Sequence, residues 1–169
     1  MSKITSIVVL VSLLLGCSSD PEKPAPEPPQ TLIDAQIIAS CQVNPDVNGR
    51  PSPIVIRLFE LKNLGKFEEA DFYKLFEDYA SLLSSDLLAS EQFNLHPGET
   101  KMIKHAVSPE TKFIAVTAAY RDLNQSVWRN SIAIETAKTS QFKIMLDQLG
   151  INIMVPSPAT NNPKEAPAN

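Results

Sequence analysis

The chain has 169 residues, with 15 basic and 19 acidic side chains and a formal net charge of −4. That balance argues against nucleic acid as a partner, which would want a basic patch, and against electrostatic adhesion to anionic lipid. Two cysteines leave no disulfide framework, so a domain of this length must be held by a hydrophobic core.

Residues 1–16 have the three parts of an export leader: Lys3 as the positive start, an apolar run over residues 4–15, and the small Gly16 at the cut. The run is shorter than the roughly 20 apolar residues that span a bilayer. Leu14-Leu15-Gly16-Cys17 resembles the lipobox of bacterial lipoproteins. That resemblance implies that Cys17 becomes the mature N-terminus, carrying a thioether-linked diacylglycerol and an N-acyl chain. Several chains anchor durably at about 0.8 kcal/mol per buried CH₂. Ser18 follows the cysteine, the residue type that permits passage to the outer membrane in such proteins, so the expected address is the periplasm-facing leaflet of that membrane. Removing Lys3 with the leader leaves 14 basic against 19 acidic residues.

The lipidated Cys17 and residues 18–31 form the expected linker, five prolines long on proline content and too polar to build a core. At about 3.1 Å per residue it reaches roughly 40 Å. A second Pro/Asn/Ala-rich stretch, 156–169, reads as a disordered tail, which leaves 32–155 as the folded unit.

Period-2 alternation dominates that unit. Ile33, Ala35, Ile37, Ala39, Cys41 and Val43 fall on one face of a long first strand, which places Cys41 inward as a small buried residue. Residues 54–59 form a second strand, apolar on both sides apart from Arg57. One or two amphipathic helices follow over 67–90, with Phe72, Leu75, Phe76, Tyr79, Leu82 and Leu83 at helical spacing and Glu68, Glu69 and Asp71 in the first turn. They are expected to cover an open end of the sandwich. Further strands are predicted at 100–107, 113–120, 127–134, 141–146 and 151–155, with turns at Pro97-Gly98 and Ser108-Pro109. The fold class is all-β, a β-sandwich with an inserted helical element.

No catalytic constellation is visible, and an enzyme is not expected. His96 and His105 flank a turn without a nucleophile or a metal-ligand partner, and no glycine-rich phosphate loop is present. Residues 44–49 imitate the first half of a calcium loop, but the twelfth position is Val55 rather than a bidentate Glu. No metal or cofactor is therefore assigned. What 44–53 does supply is a connection stiffened by Pro45, Pro51 and Pro53, which loses less entropy on docking. Asp46, Asn48 and Arg50 present donors and acceptors there, and Arg is favoured at interface hot spots.

Asn44-Pro45-Asp46, Gly49-Arg50-Pro51-Ser52-Pro53 and an apolar strand carrying Arg57 are similar to the TssJ (SciN-like) family of type VI secretion outer-membrane lipoproteins. Further likenesses follow in order: Phe67 with Ala70-Asp71-Phe72 and Leu75, Asp86-Leu87-Leu88, Pro97-Gly98-Glu99-Thr100, Ala118-Ala119-Tyr120-Arg121-Asp122 and Trp128-Arg129. The likeness spans about 35–155. It implies a transthyretin-like sandwich and a non-enzymatic role inside a multi-protein envelope complex. The implied partner is the periplasmic C-terminal region of the inner-membrane component TssM, and the implied contact is the loop between strands one and two. Here that means Asn44, Pro45, Asp46, Asn48, Gly49 and Arg50. The rival reading is a lipoprotein that binds a small molecule or carbohydrate in a sandwich cleft, for which aromatic residues are few.

Overall fold

The structure, a computed structural model, describes residues 29–156. The leader, Cys17, most of the linker and residues 157–169 lie outside the described residues. In chain order the elements are β1 (Leu32–Ala39), β2 (Ile54–Leu61), α1 (Gly65–Glu69), α2 (Phe72–Glu77), α3 (Tyr79–Leu83), a 3-10 turn (Ser84–Asp86), β3 (Leu87–Leu95), β4 (Thr100–Ala106), β5 (Phe113–Ala118), β6 (Arg129–Ala133), β7 (Thr139–Leu146) and β8 (Ile151–Met154).

The strands form two four-stranded sheets, ordered β4-β1-β7-β8 and β3-β2-β5-β6. β1 and β7 run parallel, with Leu32 opposite Thr139 and Ala39 opposite Leu146. The other strand pairs in the sheets are antiparallel. The alternation read in the sequence has its cause in the space between the sheets. Ile33, Ala35 and Ile37 of β1 and Phe142, Ile144 and Leu146 of β7 meet Ile54, Ile56, Leu58, Ile114 and Val116 from the other sheet in one cluster. Each large side chain buried there contributes about 1.5–3 kcal/mol.

β2 is buried on both faces. Its second face, Phe59 and Leu61 with Ala115 of β5, packs against Phe67, Leu75 and Leu83 from the three helices. The ring of Phe59 meets Phe67 and Tyr79 edge-on, with centroids 5.8 and 5.5 Å apart. The helical insert thus lies on the outer face of the second sheet, where the apolar underside of β2 needs cover, and not over an open end of the sandwich. Two arginines fasten it. Arg57 on β2 donates from Nη1 to the carbonyls of Leu75 and Phe76 at 3.3 and 2.8 Å. Arg129 on β6 donates to those of Phe67 and Ala70 at 3.1 and 2.6 Å. Both place a cation on the carbonyl end of a short helix, where the dipole favours it. At the other end of α2, Asp71 caps the backbone N–H of Lys74 at 3.0 Å.

Three sequence expectations need correction. The first strand stops at Ala39 because Ser40 captures the chain in a turn, its Oγ accepting from Gln42 N and its carbonyl from Val43 N at 3.1 Å each. Cys41 is consequently exposed rather than inward. The helical stretch ends at Leu83, where Ser84 takes a φ of 49°. Residues 87–95 then form an edge strand paired with β2, not the rest of a helix.

Candidate functional site

β1 ends, β2 begins, β5 ends and β7 turns into β8 at one pole of the sandwich, so the connections 44–53, 119–128 and 147–150 lie side by side. Asn44 joins them. It is 4% exposed and has a φ of 51°, a left-handed conformation that Asn tolerates better than most residues. Its backbone N–H donates to Gln148 O at 3.2 Å. Its Nδ2 donates to Pro53 O, and its Oδ1 accepts from Arg121 N, both at 2.8 Å. Tyr120 adds a second brace, its hydroxyl donating to Gly150 O at 2.8 Å and lying 3.2 Å from Asp147 O. Burial, and next the charge of Asp147, push that phenol well above its ordinary pKa, so it remains a donor at any working pH.

The tip of the 44–53 loop is organised by Asp46. One carboxylate oxygen accepts from the backbone N–H groups of Asn48 and Arg50 at 2.8 and 2.9 Å. The other takes the Arg50 guanidinium through Nε and Nη2, both at 2.8 Å. The hydrogen bonds from Arg50, backbone first and then side chain, hold the Asp46 carboxyl below its usual pKa. Gly49 closes the turn at a φ of 75°, which a glycine adopts without strain. Asp46 is thus used within the loop, its side chain 17% exposed, while the Arg50 side chain is 76% exposed. Val47, Asn48 and Gly49 stand in solvent, and Pro45 is half-buried.

The structure therefore keeps the six sequence-selected loop residues together but divides their roles. Asn44 and Asp46 shape the loop, while Asn48, Gly49 and Arg50 present it. It also adds residues that local pattern did not select as site residues. A groove of about 570 Å³ runs between this loop and Arg121, Asp122 and Leu149 on the neighbouring connections. Those residues lie more than seventy positions along the chain, and only the strand order brings them in. Val55, the twelfth position of the calcium-loop imitation, is in β2. Among the described residues no three of His, Cys, Asp and Glu come together in a metal-holding group.

The family model described as type VI secretion lipoprotein, VasD, EvfM, TssJ, matches residues 31–149. Comparison with curated proteins gives no match. Among solved structures, the type VI lipoprotein TssJ1 from Pseudomonas aeruginosa is similar at 33% identity and a TM-score of 0.74, over 77% of this chain and 100% of that one. Serratia marcescens Lip, described as a membrane-bound component of the type VI secretion system, is similar at 28% identity and a TM-score of 0.68, over 73% of this chain and 96% of that one. A structure described as the type VI protein TssM C-terminal domain from EAEC is similar in fold at 23% identity and a TM-score of 0.61, over 72% and 99%.

Proposed function

Because the chain belongs to the TssJ family of type VI secretion lipoproteins, we propose that it anchors a type VI trans-envelope complex to the outer membrane by binding the periplasmic C-terminal region of a TssM-like inner-membrane protein. In this reading Cys17 carries the lipid, the domain faces the periplasm, and the protein is a structural component rather than a catalyst. The family match over residues 31–149 carries the reading. Two features of the chain support it. The lipobox-like run ends at Cys17, and the fold offers a braced three-loop surface at the pole opposite the start of β1.

The mechanism follows from tethering. Lipid holds one end of the molecule at the membrane, and the residues between Cys17 and β1 give it reach. Confinement raises the effective concentration seen by a partner rising from the other membrane. A loop already fixed by Asn44 and Asp46 loses little further freedom when it docks.

The test is calorimetry of the whole chain, purified from membranes in detergent, against the periplasmic C-terminal fragment of the TssM-like protein from the same genome. Micromolar or tighter binding that is lost in a Val47→Asp, Asn48→Ala double variant supports the reading. A folded protein that does not bind overturns it.

A further inference from the structure

We propose that the partner segment received at this pole carries a carboxylate beside an apolar side chain, with Arg121 taking the carboxylate and Val47, Pro45 and Leu149 seating the apolar group. This rests on the docking function proposed above and extends it from one loop to the groove between loops.

Four charged side chains line the groove. Asp46 and Arg50 are spent on each other. The Asp122 carboxylate accepts from Gln125 N at 3.2 Å within its own connection. Arg121 alone has no bonded partner for its charge, which reaches Asp46 only as a minor attraction at a distance. It is exposed, and among the described residues its guanidinium makes no hydrogen bond or ion pair. Its position is nevertheless fixed, because its backbone N–H is held by the buried Asn44 and the preceding residue, Tyr120, is tied to the β7–β8 turn. A guanidinium on an immobilised backbone is a ready fork for a carboxylate, which it can bind through two parallel hydrogen bonds.

The apolar part of the groove is equally specific. Val47 is fully exposed at the loop tip, a position that gains nothing for folding. Leu149 and Pro45 are half-buried on either side. A partner side chain entering there would remove all three from water, as the anchor of an interface does, while Arg121 at the margin selects the partner and speeds encounter.

Calorimetry with the TssM-like fragment tests this. Arg121→Ala should weaken binding tenfold or more with an unchanged melting temperature, Arg121→Glu should weaken it further, and Arg121→Lys should recover part of the loss. Leu149→Ser should also weaken binding. Replacing acidic residues of the fragment by lysine, one at a time, should find one position that restores affinity specifically for Arg121→Glu. If Val47→Asp abolishes binding while Arg121→Ala and Arg121→Glu stay within twofold of the parent, the loop docks the partner but this inference falls. Failure of the unaltered protein to bind removes the docking function itself, and the inference with it.

Discussion

Asn44 is a contact residue by sequence likeness and a brace by geometry, and the two roles predict different outcomes. Asn44→Ala removes hydrogen bonds to Pro53 O and from Arg121 N and puts a Cβ residue without a polar side chain at a φ of 51°. Losing such partly buried bonds costs about 1–3 kcal/mol, so thermal denaturation should show a melting point several degrees lower, together with weaker binding. An unchanged melting point would return Asn44 to the contact set. Asp46 makes a pH prediction. Its folded carboxyl is depressed below 3.8, so its contribution is complete above that value and is lost as pH falls through the depressed value. Amide exchange at Asn48 and Arg50 should stay slow from pH 8 to 5 and speed up, after correction for intrinsic rates, only as pH falls below 3.8. For the same reason an Asp46→Ala change loosens the loop, so a loss of binding there would not by itself show a direct contact.

At the scale of elements, the insert is held by one apolar seam and two arginines. Phe59→Ala opens that seam and should cost about 3–5 kcal/mol in denaturant unfolding. Arg57→Ala and Arg129→Ala each leave helix-end carbonyls short of a charged donor, at about 1.5–3 kcal/mol. Hydrogen exchange should then rise in α1–α3 ahead of the sandwich strands; uniform loosening would mean that the insert and the sandwich unfold as one unit. The period-2 strands were legible because one face of each meets a core. The double burial of β2 was legible too, in a run that is apolar on both sides apart from Arg57 over residues 54–59. Two things were not. Cys41 keeps the alternation of β1 in type, yet Ser40 turns the backbone away, a local capture that periodicity does not register. Residues 87–95 follow Leu82 and Leu83 with more leucines at near-helical spacing, while as an edge strand they show only partial alternation. The break is Ser84 with its left-handed φ, a conformation for which the run Ser-Ser-Asp is a weak signal.

At the scale of the whole molecule, the stiff 44–53 loop was visible from its prolines, whereas the groove was not. Arg121 and Leu149 reach the loop only through the order β4-β1-β7-β8 and the passage of β5 beside β2. Knowledge of the strand order is needed before those residues mean anything together. On the membrane side, Cys17→Ser should release a folded protein into the soluble periplasmic fraction. Persistence with outer membranes would show a second means of attachment.

β1 starts at Leu32, and β8 runs opposite to β7 back in that direction, reaching the middle of the sheet: Met154 lies beside Lys143, and Lys143 beside Gln36 of β1. The connections 44–53, 119–128 and 147–150 are at the end of β1 remote from Leu32. A pull between the start of β1 and the 44–53 loop would run lengthwise through β1, an inner strand flanked by β4 and β7. That load is carried by the covalent backbone of an already extended strand and does not require its hydrogen bonds to β4 and β7 to break. In single-molecule stretching, this attachment should rupture at a higher force than one that peels the edge strand β8. A domain built this way is suited to mechanical tension along a single axis.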